Sequence, residues 1–132
     1  MSAELARQRE TCTAELFTNK TGAGHDAPDP IFILGLPRAG STLLEQILAS
    51  HSKVEATAEL PFIGQIATEL SERRKKSDES KYPAVLHELS PERCAELGQQ
   101  YLDRAAVYRT GASRFIDKLP NNFLHVALIK SI

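Results

Sequence analysis

The sequence predicts an α/β fold in which helices cover a short parallel sheet. A short apolar run from Ile31 to Leu34 is typical of a buried strand, and Gly35 ends it. A second core strand is predicted to end at Phe115 and Ile116, and Pro120 breaks the chain soon afterwards. The segments between these runs space their apolar residues as helices do. Strands that alternate with helices favour a parallel sheet.

The N-terminal part of the chain predicts a helix followed by a linker. Residues 2–18 place Leu5, Cys12, Leu16 and Phe17 on one apolar side of a helix. Residues 21–30 are rich in glycine, proline and other residues that interrupt regular structure. We therefore divide the chain into a helical segment (1–20), a linker (21–30) and an α/β unit (31–132).

The first predicted strand leads into a loop suited to bind a phosphate. Gly35 and Gly40 permit backbone angles that a side chain would obstruct, so successive N–H groups can turn towards one anion. A helix is predicted over residues 41–50, with apolar residues at 43, 44, 47 and 48 on one face. Its N-terminus adds unpaired N–H groups and the positive end of the helix dipole. The fold class is therefore P-loop-like, with three layers α/β/α.

The loop departs from the nucleotide-triphosphatase pattern at one position. That pattern is Gly, four residues, then Gly-Lys-Ser/Thr, and Ser41 stands where the lysine belongs. Since that lysine reaches the β and γ phosphates, its absence argues against ordinary ATP or GTP hydrolysis. Arg38 supplies positive charge inside the loop instead. The alternative is a glycine-rich turn that merely joins a strand to a helix.

The remaining elements follow from spacing and capping. A short extended piece is predicted near Val54 and a helix over residues 60–70, followed by a charged, unpatterned segment at 71–80 with a basic cluster. Ser90 and Pro91 predict a helix start. The core faces of the last two helices are predicted to be Cys94, Leu97, Tyr101, Ala105 and Tyr108, and then Phe123, Val126 and Ile129.

The loop sequence resembles the 5′-phosphosulfate loop of sulfotransferases. Residues 35–44, followed by Ala49, Ser50 and His51, carry the resemblance. It is strongest to the tyrosylprotein sulfotransferases and to bacterial proteins that join helical tetratricopeptide repeats to a sulfotransferase domain. The resemblance implies 3′-phosphoadenosine 5′-phosphosulfate as donor, and residues 31–132 as the N-terminal half of the domain. The implied donor-binding residues are Pro37, Arg38, Ala39, Gly40, Ser41 and Thr42.

The same resemblance implies a general base at Glu59. Tyrosylprotein sulfotransferases carry a Gly-Glu-Glu-Thr segment at this distance from the loop, and its second glutamate aligns with Glu59. This chain has Thr57 and Ala58 where those enzymes have Gly-Glu. A carboxylate here can take the proton from an acceptor hydroxyl. The alternative is an acidic residue in the first turn of the following helix, where it favours the helix dipole.

Lys118 is the second catalytic candidate. It follows the second core strand, and ligands of open α/β sheets gather at the carboxyl ends of strands. By resemblance it corresponds to the Asn-Lys-Asp-Pro lysine, which neutralises charge on the sulfonate and the leaving phosphate. Small-molecule cytosolic sulfotransferases tend to carry a histidine near this point. The alternative is an ordinary exposed lysine paired with Asp117.

Composition narrows the classes of function. The 16 basic and 17 acidic residues nearly balance, so we predict no nucleic-acid partner. No histidine pair has ligand spacing, so no metal is predicted, and no run is long enough to cross a membrane. The N-terminus lacks a signal-peptide pattern, and Cys12 and Cys94 are typical of reduced thiols. We expect a cytoplasmic protein.

Several alternatives stay open at the level of sequence. The acceptor is a hydroxyl of a peptide tyrosine, a sugar or a small alcohol. The second donor motif of such enzymes, an arginine and a serine for the 3′ phosphate, is expected beyond Ile132, so we expect a fragment; helical repeats would precede Met1. A nucleotide or small-molecule kinase is the second possibility, with Asp117 the sole candidate to hold magnesium. A truncated, inactive P-loop module that binds other proteins is the third.

Overall fold

A computed structural model describes residues 3–72 and 80–132 of the chain. Within these ranges the α-helices are α1 (Ala3–Thr11), α2 (Ala14–Asn19), α3 (Ser41–Ala49), α4 (Phe62–Ser71), α5 (Pro91–Ala106) and α6 (Val126–Ser131). The strands are β1 (Pro30–Ile33), β2 (Val54–Ala56) and β3 (Arg114–Lys118). Short 3₁₀ helices span Ala84–Glu88 and Pro120–His125. The predicted basic cluster at residues 73–76 lies outside the described residues.

The three described strands form a parallel sheet in the order β1-β3-β2. β3 is central: Pro30 of β1 lies opposite Phe115, and Val54 of β2 lies opposite Arg114. The predicted α/β fold with a short parallel sheet is thereby confirmed. Because the strands are parallel, their carboxyl ends share one edge of the sheet, here called the carboxyl edge, and their amino ends share the opposite amino edge.

Successive side chains of β3 point to opposite faces of the sheet. Phe115 and Asp117 face α5, where both meet Tyr101: the rings of Phe115 and Tyr101 stack with centroids 6.3 Å apart, and the Tyr101 hydroxyl donates to Asp117. Lys118 faces the other way and reaches Thr42 of α3. Helices therefore cover both faces, which gives the predicted three layers. We call the α5 side the closed face and the α3 side the open face.

The hydrophobic core lies on the closed face. Its fully buried members come from α2, from the segment 60–105, from β3 and from α6: Leu16, Leu60, Ile63, Ile66, Leu86, Leu97, Ala105, Phe115, Ala127 and Leu128. Leu16 of α2 is 0 % exposed within this core. The N-terminal helices therefore pack on the α/β unit. The division of the chain at residues 20 and 30 stays a prediction.

The single predicted helix over residues 2–18 is wrong, because the chain turns between α1 and α2. Thr13 is extended (φ −103°, ψ 158°), and its Oγ1 accepts a hydrogen bond from the Leu16 N–H at 3.2 Å. A threonine in this position caps a new helix rather than continuing the old one.

The start of α5 agrees with the sequence, and its end does not. Ser90 caps the helix, accepting from the Arg93 N–H at 3.1 Å, and Pro91 is its first residue. Cys94, Leu97, Tyr101 and Ala105 are buried as predicted. Tyr108 is not: the helix ends at Ala106, and Tyr108 is 46 % exposed and lies against Phe62.

The predicted core face of the last helix is right at Ile129, which packs against the core, and wrong at Val126. Ala127 and Leu128 are fully buried, whereas Val126 is 36 % exposed. The cause is the 3₁₀ helix Pro120–His125 that precedes α6. It turns every 3.0 residues rather than 3.6, so the face predicted by continuous α-helical spacing is rotated away from the core.

The apolar face of α3 points to solvent. Leu43, Leu44 and Ile47 are 63 %, 46 % and 58 % exposed, and none of the residues of α3 is buried. Sequence spacing predicts a helix here, but it does not reveal which side the helix turns to the sheet. We call these three residues the α3 apolar stripe.

Both cysteines carry free thiols; Cys94 is buried and Cys12 is partly exposed. Among the described residues, no helix combines the length and the apolar character needed to span a bilayer.

Candidate functional site

The predicted anion-binding loop connects β1 to α3 at the carboxyl edge. Three of its residues have positive φ: Gly35 at 146°, Arg38 at 61° and Gly40 at 93°. Glycine adopts such angles at little cost, whereas arginine does so rarely. Strained non-glycine residues of this kind cluster at functional sites.

Most of the loop N–H groups have no partner among the described residues, so they can donate hydrogen bonds to a ligand. The Ala39 N–H donates to the Leu36 carbonyl at 3.3 Å, but within the described residues no hydrogen bond engages the N–H groups of Arg38, Gly40, Ser41 or Thr42. The last two open α3, where the first-turn N–H groups have no partner inside the helix. Four consecutive or nearly consecutive donors therefore remain available around one short bend.

Lys118 ends β3 directly beside the loop. It lies opposite Ile33, the last residue of β1, and the Gly35 N–H donates to the carbonyl of Pro120 at 3.2 Å. The Lys118 side chain is 14 % exposed, and its Nζ donates to Thr42 Oγ1 at 3.3 Å. The register of the sheet thus places this ammonium group at the start of α3.

Glu59 reaches the same point from β2. Its Oε1 is 3.6 Å from Lys118 Nζ, and its side chain is 61 % exposed. Thr57 holds the chain just before Glu59 against β3, since its Oγ1 donates to the Ile116 carbonyl at 2.7 Å. Glu59 precedes α4, whose first turn contains no acidic residue. The alternative that assigned Glu59 to that turn is wrong.

The structure brings together Glu59, Lys118 and Thr42, whereas Arg38 stands apart. Arg38 is exposed, and within the described residues no hydrogen bond or ion pair joins it to another group. Pro37, Ala39 and Gly40 are likewise exposed. The loop side is therefore open to solvent, and its one guanidinium is uncommitted.

Asp117 does not pair with Lys118, so the alternative of an ordinary surface pair is wrong. Asp117 is 0 % exposed on the closed face, and its Oδ2 accepts from Tyr101 at 2.6 Å. Burial raises the pKa of this carboxyl to about 6, although the bond from Tyr101 acts in the opposite direction. A residue held there does not face the loop, so the kinase alternative loses its candidate magnesium ligand.

Two of these contacts escape sequence reasoning. In the sequence, Thr57 is recognisable only as a β-branched hydroxyl residue just past a short strand. Asp117 is marked as a charged residue inside an apolar run, which predicts a buried partner without identifying Tyr101. Among the described residues, no three His, Cys, Asp or Glu side chains are grouped so as to hold a metal ion.

Comparison with known proteins decides the family. Residues 30–132, which include the loop, Glu59 and Lys118, match the model of the sulfotransferase family. The chain belongs to the sulfotransferase family. Members of this family move sulfonate groups, generally from 3′-phosphoadenosine 5′-phosphosulfate. The match begins with β1, so α1 and α2 precede the part that the family model covers.

One curated relative extends the likeness over nearly the whole chain. An uncharacterized protein of Aquifex aeolicus (strain VF5) is 38 % identical over 127 residues, which is 95 % of this chain. The chain spans 17 % of the length of that relative. No solved structure matches the chain significantly. The predicted likeness to the tyrosylprotein and repeat-linked branches stays a prediction.

Proposed function

We propose that this site transfers the sulfonate group of 3′-phosphoadenosine 5′-phosphosulfate to a hydroxyl acceptor. The observation that carries the proposal is the position of Lys118 Nζ, 3.3 Å from Thr42 Oγ1 of α3 and 3.6 Å from Glu59 Oε1. One cation thus lies between the loop and a solvent-exposed carboxylate, and this arrangement supports sulfonate transfer.

The loop fits the donor's phosphosulfate group. A Cβ added at Gly35 or at Gly40 would meet no atom within 4 Å, so open space adjoins both residues. The free N–H groups of Arg38, Gly40, Ser41 and Thr42 would hold the 5′ phosphate and the sulfonate, and the Arg38 guanidinium would add a charged donor. Loss of the triphosphatase lysine suits this donor, because Lys118 brings an ammonium group from β3 instead.

In the proposed step the acceptor oxygen attacks sulfur in line with the leaving phosphate. The new O–S bond forms as the bond between sulfur and the bridging phosphate oxygen breaks, and the acceptor proton passes to Glu59. The products are a sulfate ester and 3′-phosphoadenosine 5′-phosphate. Lys118 stabilises the charge that develops on the sulfonate and bridging oxygens. Its low exposure strengthens this effect, since water screens it little.

The acceptor belongs to one of three classes: peptide tyrosine, sugar or small alcohol. Glu59 is 61 % exposed, so an acceptor attached to a larger molecule can approach it from solvent. The cytoplasmic location and the helical repeats before Met1 stay predictions beside this proposal.

Isothermal titration calorimetry tests donor binding. We expect 3′-phosphoadenosine 5′-phosphate to bind and ATP with magnesium not to bind. Arg38→Ala should weaken binding about 10- to 100-fold, because a charge-assisted hydrogen bond contributes about 1.5–3 kcal/mol. Arg7→Ala, which removes an exposed arginine of α1, is the matched control. Preference for ATP would favour the kinase, and binding of neither nucleotide would favour an inactive module.

A transfer assay tests the base. Glu59→Gln should keep nucleotide affinity and lower kcat by about 10²- to 10⁴-fold, the range typical of general base catalysis. Transfer that survives this change at the wild-type rate would overturn the assignment of Glu59.

A further inference from the structure

A cavity lies at the amino edge of the sheet, away from the proposed transfer site, which consists of the loop, Lys118 and Glu59. It has a volume of about 540 Å³, and we call it the amino-edge cavity. Its wall is formed by the end of α3, the following turn and the amino ends of β2 and β3. The loop and Lys118 lie at the other end of α3, and a nine-residue helix is about 13 Å long. The two sites are therefore separate.

The wall of this cavity combines an apolar side with a basic side. Ile47, Leu48 and Val54 form the apolar side, and the basic side chains are His51, Lys53 and Arg114. Within the described residues that line it, no carboxylate is present. Glu55, the acidic neighbour of Val54, is engaged elsewhere, since it accepts from the N–H and Oγ1 of Thr110 at 2.9 and 2.6 Å.

Backbone hydrogen bonds hold the three basic residues as one unit. The His51 carbonyl accepts from the Val54 N–H at 3.0 Å, and the Lys53 carbonyl accepts from the Arg114 N–H at 3.0 Å. The His51 ring accepts from the Lys53 N–H at Nδ1, at 3.1 Å. Because Nδ1 is an acceptor there, the ring proton sits on Nε2, which is left as a donor.

The charged groups of this basic cluster (His51, Lys53 and Arg114) have few partners among the described residues. The Lys53 side chain makes no hydrogen bond or ion pair within the described part of the chain, and Arg114 uses one guanidinium nitrogen to donate to the Pro28 carbonyl. The C-terminus of α3 contributes a partial negative charge of about one half. Two full positive charges outweigh it. The cavity is therefore positive, with its apolar wall continuous with Ile47 of the exposed α3 apolar stripe.

We infer that the amino-edge cavity binds a small amphipathic anion: a sulfate, carboxylate or phosphate head group on an apolar body of several carbons. The head group pairs with Lys53, Arg114 and the His51 Nε2–H, while the apolar body covers Ile47, Leu48 and Val54. The apolar side alone would not bind the head group, and the basic side alone would not bind the apolar body. The inference does not depend on the proposed transfer reaction.

Nuclear magnetic resonance titration with n-hexyl sulfate tests this inference. We expect saturable shifts of the Lys53, Val54 and Arg114 amide signals. n-Hexanol and inorganic sulfate, which each supply one half of the ligand, should bind at least about tenfold more weakly. Shifts confined to the loop amides of residues 38–42 would place the anion at the transfer site and overturn the inference.

Substitutions of Lys53 and Arg114 test whether hexyl sulfate binds at these basic residues. Lys53→Gln and Arg114→Gln should each weaken hexyl sulfate binding about tenfold, the effect of losing one charge-assisted hydrogen bond. Lys130→Gln removes an exposed lysine of α6 and should change nothing. Lys53→Gln carries the test if Arg114→Gln fails to fold, because the Lys53 side chain bonds to none of the residues that the structure describes. Unchanged affinity in Lys53→Gln would overturn the inference.

A last comparison separates a free ligand from a lipid head group. In sedimentation with phosphatidylglycerol vesicles, hexyl sulfate should displace any protein that binds to the vesicles. Vesicle binding that resists hexyl sulfate would overturn the assignment of a small ligand. Calorimetry with 3′-phosphoadenosine 5′-phosphate should give the wild-type affinity in Lys53→Gln, so failure here is distinguishable from failure at the transfer site.

Discussion

The two faces of the sheet differ in how much they bury. On the closed face Phe115 and Asp117 are 0 % exposed beneath α5, and the hydrophobic core continues through α4 and α6. On the open face α3 has no buried residue, and its apolar stripe faces solvent. The same strand, β3, thus supplies the centre of the core on one side and Lys118 on the other.

The closed face contributes most to stability, whereas the open face carries the candidate catalytic groups. Burial of apolar area is the main favourable term in folding, and it is concentrated on the closed face. The candidate catalytic groups lie on the open face, where several loop N–H groups and the Arg38 guanidinium have no partner among the described residues. We therefore expect substitutions on the two faces to move different measured quantities.

The largest contrast is expected from two isoleucines that undergo the same change. Ile66 of α4 is 0 % exposed, and Ile47 of α3 is 58 % exposed. Ile66→Ala should lower the free energy of unfolding by about 2–5 kcal/mol, because it leaves a cavity in the core. Ile47→Ala should change it by less than about 0.5 kcal/mol. Urea unfolding monitored by circular dichroism measures both.

Equal losses in the two variants would contradict the division between the faces. A large loss in Ile47→Ala alone would mean that the α3 apolar stripe is covered in solution, and its dependence on protein concentration would identify self-association.

A smaller effect is expected from the buried carboxyl. The pKa of Asp117 is raised by burial to about 6, so the folded state binds a proton more tightly than the unfolded state. The stability that this proton contributes is present below the ordinary pKa and is lost as pH rises through about 6. Asp117→Asn is neutral at every pH and keeps an oxygen for Tyr101. Relative to wild type, its free energy of unfolding should rise by up to about 3 kcal/mol between pH 4 and pH 7.5.

Denaturant titrations of both proteins at several pH values check this prediction. Their difference removes other titrating groups, including His125, whose pKa is lowered by burial. A difference that stays constant with pH would show that Asp117 is ionised in the folded state without penalty.

The smallest effect on stability is expected at Glu59. Its pairing with Lys118 at 3.6 Å is largely exposed on the glutamate side, and such pairs contribute about 0–1 kcal/mol. The free energy of unfolding of Glu59→Gln should therefore lie within about 0.5 kcal/mol of the wild-type value, although the variant should transfer sulfonate about 10²- to 10⁴-fold more slowly. Loss of fold and transfer together would assign Glu59 a structural role.

The sequence predicts those features that depend on local chemistry. The β1 strand, the loop glycines and the Ser90 cap follow from single residues and their immediate neighbours. Placement of Lys118 at the carboxyl edge also follows, because the strand ends are marked by proline and asparagine.

Other features depend on contacts between distant residues. The outward direction of the α3 apolar stripe is set by how α3 lies on β2 and β3, which helical spacing does not specify. The rotation of α6 depends on the 3₁₀ turn before it, and the partner of Asp117 comes from a separate helix. Periodicity places Tyr108 in the core because it does not mark where α5 ends.

The order of the strands has a consequence for synthesis of the protein. β3 is the last of the three described strands in sequence, yet it is the one to which both others bond. While the ribosome is still making residues before Arg114, β1 and β2 have no partner, and their backbone groups are exposed to chaperones and to other nascent chains. Pairing over such a long separation is slow. The candidate anion-binding loop therefore acquires Lys118 as a neighbour only after β3 has been made and has paired with β1.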